Sequence, residues 1–189
     1  MRKLLMGFFL FSILGASCLS AQGTDNPALK PIINNFGARN YAAGQITKAE
    51  LDQIIQAGIR APSANNRQPW HFTVVQNEAL AKRIISQATE GNILIVISGS
   101  GDNKTNGAVV LDCGLATQSI YLAAQALGLG SRIYTGPVDT INSRFKSELD
   151  LPSGYNAVAV VRIGRLPAGV DAVSSASSRS NAEQKVNYK

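Results

Sequence analysis

A polar loop beside a tryptophan is the part of this sequence best suited to chemistry. Residues 62–70 read Pro-Ser-Ala-Asn-Asn-Arg-Gln-Pro-Trp, and they lie between a predicted helix end and a predicted strand. Hydroxyl, amide and guanidinium groups beside an indole suit a flat heterocycle with polar edges. Asparagine and proline are also ordinary turn formers, so the same residues are compatible with a polar turn that only caps the helix.

Hydrolytic and transition-metal chemistry fit the sequence poorly. His71 is the only histidine, and it lies in a predicted strand directly after Trp70. A metal site usually draws on a cluster of His, Cys and carboxylate side chains. Residue counts leave a Ser/His/Asp triad open, but no nucleophile-elbow pattern is present, and residues 99–101 lack the Gly-Lys-Ser/Thr ending of a phosphate loop. We therefore predict no metal site.

Helices and strands are predicted to alternate around the loop. A capping box of Thr47 and Glu50 opens one helix, and a nearly continuous apolar stretch from Ala108 to Leu127 predicts a buried core helix, with Asp112 tolerated in its first turns. The alternation predicts an α+β or α/β sandwich with a sheet between helices. Two further helices are predicted over 78–89 and 140–149, and strands over 71–75, 93–97, 133–134 and 157–163. An extended lead-in is predicted over 22–34 and a loop over Ser98–Gly107. The Ser-rich tail over 174–180 has no core pattern, so we expect it to be flexible or to dock on a partner.

The first 21 residues have the composition of a secretory signal. A positive start at Arg2 and Lys3 precedes an apolar run from Leu4 to about Ala16, and small residues follow up to Ala21. This run is shorter than the roughly 20 apolar residues of a membrane-spanning helix. The order predicts a signal peptide over 1–21 rather than a buried N-terminal helix.

Cleavage after Ala21 would leave one exported domain over 22–189, in the periplasm or cell envelope. Lipidation of Cys18 is the alternative, although the residues before it fit a lipoprotein signal only loosely. Loss of the signal lowers the formal net charge from +6 to +4, and no run of five or more Lys or Arg residues suggests nucleic acid as a partner. Cys113 would then have no internal disulfide partner, so we expect the core, a ligand or a second subunit to stabilise the domain.

Residues 61–72, Ala-Pro-Ser-Ala-Asn-Asn-Arg-Gln-Pro-Trp-His-Phe, closely resemble the signature of the FMN-dependent nitroreductase family. In that family an Ala-Pro-Ser-Ser/Ala-x-Asn-x-Gln-Pro-Trp run precedes a hydrophobic strand. A second, less specific match runs from Asp112-Cys113-Gly114 to Gly130, and the whole resemblance extends from about Asn35 to the C-terminus. It implies a nitroreductase-like α+β sandwich, with a central mixed sheet flanked by helices, in an intertwined homodimer that binds FMN at its interface.

The resemblance also assigns individual residues to the flavin. It places backbone N–H groups after the core helix and its strand opposite the flavin N5 and O4, and cations at the phosphate end. It names no catalytic side chain, because the flavin itself carries the chemistry. The assigned cofactor-binding residues are Pro62, Ser63, Ala64, Asn66 and Gln68 in the loop, Tyr134, Thr135 and Gly136 after the strand, and Asn35, Arg39 and Arg179 at the phosphate end.

The sequence departs from the family pattern at two places, which lead us to expect weaker FMN binding and an open pocket. The family usually has an Arg-x-Ser-x-Arg/Lys clamp for the phosphate, and here Asn35 and Gly37 replace its first Arg and its Ser. Charge-assisted hydrogen bonds are worth about 1.5–3 kcal/mol each, so we expect FMN to bind about one to two orders of magnitude more weakly than in a typical member. The short stretch Ser98–Gly107 replaces a helical excursion that covers the active site in larger members, which predicts an open pocket.

The implied function is oxidoreduction. Hydride from NAD(P)H or another donor would pass through FMN to a nitroaromatic, a quinone or a similar small acceptor in a ping-pong order. Free NAD(P)H is not expected outside the cytoplasm, so the predicted export favours another donor. The alternatives are oxygen-dependent flavin fragmentation or dehalogenation, a non-catalytic flavin-binding module, and an exported domain with no cofactor, since a fold alone never fixes function.

Overall fold

A computed structural model describes residues 26–101, 106–174 and 176–189 of the chain. The predicted signal peptide, Cys18 and the N-terminus expected after cleavage lie outside the described residues. The helices are α1 (Lys30–Ile33), α2 (Lys48–Ile59), α3 (Glu78–Ile84), α4 (Gly107–Ala126) and α5 (Val138–Thr140), which continues as a π-helical turn over Ile141–Phe145. The strands are β1 (Trp70–Val75), β2 (Ile93–Ser100), β3 (Gly130–Tyr134) and β4 (Tyr155–Gly164), and short 3-10 turns cover Ala64–Asn66 and Ala182–Gln184.

The four strands form one sheet in the order β1-β2-β4-β3. The α+β sandwich is confirmed, but the expectation of a mixed sheet is wrong, because all three strand pairings are antiparallel. Strands β2 and β3 do run in the same direction, as a crossover through a helix requires. They are not neighbours, since β4 lies between them and pairs with both in the opposite direction.

Apolar side chains cover both faces of the sheet. Alternate residues of β2 point to opposite faces, so Ile95 joins the core beneath α2 and α4 while Leu94 and Val96 join the core beneath α3 and the π-helical turn. All three are fully buried. The prediction of a central strand covered on both faces is therefore confirmed.

Helix α2 begins where the capping box places it. The Thr47 hydroxyl accepts the N–H of Glu50, and the Glu50 carboxylate accepts the N–H of Thr47 at 2.8 Å. The buried residues Ile54 and Gly58 lie on the inner face of the helix. Because the helix ends at Ile59, the chain enters the polar loop at the edge of the sheet that carries β1.

Helix α4 is the core helix that the sequence predicts. Among the described residues it is the one helix long and apolar enough, by length and composition alone, to cross a membrane. Val109, Cys113 and Ile120 on its buried face belong to the same core as the strands, and Asp112 lies in its second turn. The helix therefore spans one side of the sheet and reaches both of its edges.

Several predicted boundaries are wrong. Helix α3 ends at Ile84 and not near residue 89, because Ile85 is extended and buried. The lead-in contains α1, and the last residues of β2 occupy the start of the predicted loop, of which residues 102–105 lie outside the described part of the chain. The predicted surface helix over 140–149 is shorter and buries Ile141 and Phe145.

Candidate functional site

The loop before β1 has an unusual backbone. Asn65, Asn66 and Gln68 have φ values of 52°, 55° and 49°, in the left-handed region that side chains other than glycine rarely adopt. Asparagine tolerates this region better than most residues, whereas a glutamine there costs about 1 kcal/mol or more. Local conformational preference therefore does not explain the shape of the loop. Backbone strain of this kind concentrates at ligand-binding sites, which makes the loop a candidate site.

Hydrogen bonds inside the loop support that shape. The Ser63 hydroxyl accepts the Gln68 N–H at 3.0 Å, and the Gln68 amide donates to the backbone and side-chain oxygens of Asn66. Pro62, Ala64, Asn66 and Gln68 are exposed, and Ser63 is half-buried. The structure thus brings the five predicted loop residues together at the surface.

One hydrogen bond joins the loop to the core helix. The Ala64 N–H donates to Oδ1 of Asp112 at 3.0 Å. Asp112 is 2% exposed, and its second carboxylate oxygen has no hydrogen-bond partner among the described residues. Sequence reasoning missed this contact, although a lone carboxylate in an otherwise apolar helix is a signal that could have pointed to it.

The residues predicted at the phosphate end form a second group. Gly37, Arg39 and Ser177 line a cavity of about 420 Å³ between residues 36–40 and the chain after β4. Arg179 donates from Nη1 to the backbone oxygen of Ser177 at 2.8 Å, which places its guanidinium next to the same wall. This cavity therefore has cations suited to an anionic group.

The Asn35 side chain, which the sequence places at the phosphate, makes hydrogen bonds to the chain itself. Its side-chain amide donates to the Ile32 oxygen at 2.7 Å and accepts from the Tyr121 hydroxyl at 3.2 Å. Burial raises the pKa of Tyr121, and Gln125 and, to a smaller extent, Arg179 oppose that rise. Asn35 and Tyr121 are therefore in direct contact, and the Asn35 amide binds the chain itself.

Further hydrogen bonds fix the segment that carries Arg39. The Gln125 amide donates to the Phe36 oxygen at 2.7 Å, and the Ala38 N–H donates to the Ser131 oxygen at 3.0 Å. The segment is thereby attached to both α4 and β3. This attachment positions the exposed Arg39 beside the cavity.

The predicted backbone donors lie just beyond these contacts. Tyr134 ends β3, an edge strand, and its ring lies 5.3 Å from the Arg132 guanidinium carbon. Thr135 and Gly136 are exposed, and none of the turn and loop hydrogen bonds among the described residues uses their N–H groups. Two adjacent backbone donors are thus available to a ligand at this edge.

Within one chain the two groups lie apart. The loop precedes β1 and the donors follow β3, and these strands form opposite edges of the sheet, three spacings or about 14 Å from each other. Distances along helix α4 agree with this separation. Asp112 contacts the loop and Tyr121 contacts the phosphate-end residue Asn35, and these two helix residues are nine positions, or about 14 Å, apart. The structure assembles each group separately and does not join them.

The Cys113 thiol is unsuited to nucleophilic catalysis. Burial raises the pKa of the Cys113 thiol to about 12, with a smaller contribution from Asp112, so this thiol is no nucleophile at neutral pH. His71 packs edge-on against the Tyr155 ring. In the described ranges no three His, Cys, Asp or Glu side chains cluster in a way that could hold a metal ion.

Known proteins resemble the chain across this fold. The model of the nitroreductase family matches residues 38–96 and 88–165. A protein from Archaeoglobus fulgidus, named provisionally as an NADH dehydrogenase/NAD(P)H nitroreductase, is 33% identical over 146 residues, which cover 72% of this chain and 83% of that protein.

Solved structures are also similar. A nitroreductase with bound FMN from Desulfitobacterium hafniense is 25% identical, with a TM-score of 0.69 over 88% of this chain and all of that chain. A structure from Parabacteroides distasonis, named provisionally as an NADH dehydrogenase/NAD(P)H nitroreductase, is also 25% identical, with a TM-score of 0.71 over 87% of this chain and 98% of the other.

Proposed function

Since the chain belongs to the nitroreductase family, we propose that it is an FMN-dependent oxidoreductase that takes electrons from NAD(P)H or another donor. The acceptor in this proposal is a nitroaromatic, a quinone or a similar small molecule, and donor and acceptor use the site in turn, in a ping-pong order. The FMN in the similar D. hafniense structure and the name of the A. fulgidus relative support the proposal. Its strongest support in this chain is the strained, surface-facing loop over 62–68.

The residues of both groups fit FMN. Arg39 and Arg179 lie beside a cavity large enough for a phosphate, and guanidinium groups bind phosphate through paired, charge-assisted hydrogen bonds. The exposed N–H groups of Thr135 and Gly136 and the side chains of the loop offer polar contacts to the edges of a flat ring. When bound, FMN supplies the hydride chemistry, while these residues bind and orient it.

We further propose that each site forms between two copies of the chain. The loop of one subunit would meet the Arg39 cavity and the β3 edge of the other, which resolves their separation within one chain. Apolar side chains that such a dimer could cover are exposed on α1 and α4, including Ile32 at 52% and Leu111 at 63%. Exposed apolar surface of this kind commonly marks an interface.

We also propose that the chain is exported, and its location would determine the electron donor. If the chain is exported after cleavage at Ala21, the physiological donor is a reduced protein or a quinol and not free NAD(P)H. A non-catalytic flavin-binding module is the second candidate. The Asn35 side chain supports it, because its amide binds Ile32 and Tyr121 where a typical member offers the phosphate an arginine.

Absorbance spectra of the purified protein test the proposal. They are recorded anaerobically, before and after the addition of FMN and then of NADH, with free FMN at the same concentration as the control. Protein-bound flavin bands that bleach faster than those of free FMN support the oxidoreductase. Bands that appear but bleach no faster favour another donor or the passive binder, and a reduced quinol then separates those two. A protein that binds no FMN in excess contradicts the proposal.

A further inference from the structure

We propose that Asp112 is the positioning residue of the loop over 63–68: its carboxylate fixes the backbone of Ala64 and thereby holds the loop in the shape that receives FMN. The inference rests on the proposed function, since it concerns the same site. It adds a residue that does not itself touch the cofactor.

The loop has one hydrogen bond to the rest of the chain among the described residues. In the described part of the chain, the hydrogen bonds of residues 63–68 run within the loop itself. The exception is the bond from the Ala64 N–H to Asp112 at 3.0 Å, which crosses 48 positions of the sequence. Loss of that one bond would leave residues 63–68 hydrogen-bonded only to one another.

The carboxylate of Asp112 has a rigid support. Asp112 lies on the longest helix of the fold, between the buried residues Val109 and Ala116. The Cys113 thiol contacts the Ser98 oxygen of β2 at 3.9 Å, so this turn of the helix is packed directly on the sheet. The position of Ala64 is therefore set by the core and not by the loop.

Stability alone does not explain an aspartate at position 112. A carboxylate that is 2% exposed, with one hydrogen bond and one oxygen left without a partner among the described residues, is unfavourable for folding. Native proteins keep few such groups, and those they keep call for an explanation. The bond to a strained loop supplies one, because Gln68 in the left-handed region needs surrounding structure to hold it there.

Three variants of the full chain test the inference. Asp112→Ala removes the acceptor, and Asp112→Asn keeps an oxygen but loses the charge. Thr117→Ala is the matched control, because Thr117 is also buried on α4 but its hydroxyl donates to the Cys113 oxygen inside the helix. The measurements are the FMN dissociation constant by flavin fluorescence, the exchange rate of the Ala64 amide without FMN, and the unfolding midpoint.

We expect Asp112→Ala to raise the FMN dissociation constant at least about tenfold and to speed exchange at Ala64 by a similar factor, as the loss of one charge-assisted hydrogen bond implies. Thr117→Ala should change neither, even where it lowers the unfolding midpoint as much. Asp112→Asn should raise the dissociation constant about threefold, because a neutral acceptor is roughly half as strong. If Asp112→Ala does not fold, Asp112→Asn decides by the same two readouts.

Equal FMN dissociation constants for the Asp112 and Thr117 variants would overturn the inference, as would unchanged exchange at Ala64. A wild-type chain that binds no FMN refutes the proposed function, and with it the flavin role of Asp112. Exchange at Ala64, which needs no FMN, distinguishes that failure from a loop that Asp112 does not hold.

Discussion

Arg165 forms a bidentate ion pair with the carboxylate of Glu50. Its Nη1 and Nη2 atoms donate to Oε1 and Oε2, each at 2.7 Å. Glu50 is also the third residue of α2, where it accepts the Thr47 N–H, while Arg165 directly follows β4. One ion pair therefore attaches the start of α2 to the end of a central strand.

Acid should weaken this attachment. The hydrogen bond from Arg165 is the main reason that the pKa of Glu50 falls from its ordinary 4.5 to about 2. A lowered folded-state pKa contributes stability that is fully present above about pH 4.5 and is lost as the pH falls toward 2. In Glu50→Gln the free energy of unfolding, measured by urea titration, should depend less on pH in that window. The exposed Glu90→Gln is the control, and an unchanged slope in Glu50→Gln contradicts the assignment.

Mixed dimers should reveal whether the site is shared between subunits. Arg39→Ala damages the cavity group and Asn66→Ala damages the loop group, so each variant alone should bind FMN poorly. After the two are unfolded and refolded together, random pairing should leave about a quarter of the sites with both groups intact. Flavin titration of the mixture measures that fraction. If each chain contained its whole site, mixing would restore none.

Replacement of Gly37 by serine should strengthen FMN binding. A Cβ at Gly37 would lie 3.7 Å from Cγ of Arg132, an ordinary contact that leaves room for a side chain. The added hydroxyl offers the phosphate one more hydrogen bond, worth up to about tenfold in the dissociation constant. Gly37→Ala adds the carbon without the hydroxyl and should leave the constant within about twofold. Equal constants for the two variants would show that no phosphate lies there.

A methyl group at Gly58 should destabilise the fold. A Cβ there would lie 2.7 Å from Cγ1 of Ile120 and 3.1 Å from Cε2 of Phe72, so the Ile120 side chain or the two helices would have to shift. Overpacking of this kind costs about 1–3 kcal/mol, which outweighs the gain of up to about 1 kcal/mol in helix propensity. Urea unfolding of Gly58→Ala, alone and with Ile120→Ala, measures the effect. The penalty should be smaller in the Ile120→Ala background, and strict additivity would argue against the clash.

The sequence predicted those features that depend on residues close together in the chain. The capping box of Thr47 and Glu50 places the start of α2 within a few residues, because both partners lie in the same turn. The apolar stretch of β2 predicts a strand covered on both faces, because burial depends on its own composition. The loop motif was likewise found from consecutive residues.

Contacts between distant residues could not be predicted in this way. The Ala64–Asp112 bond joins positions 48 apart, and no local spacing encodes it. The insertion of β4 between β2 and β3 follows from pairing energies across the whole chain, so the predicted mixed sheet was wrong. The hydrogen bond from the Tyr121 hydroxyl to the Asn35 amide likewise joins positions 86 apart.

The strand order has a consequence for the chain while it is being synthesised. Residues up to 100 suffice to pair β1 with β2, but the other edge of β2 stays open until residues 155–164 emerge. That edge belongs to one of the most apolar strands of the protein, and unpaired strand edges recruit other chains. A chain that stops inside α4 or β3 would therefore expose a template for aggregation, which makes nascent and truncated forms of this protein natural clients for chaperones.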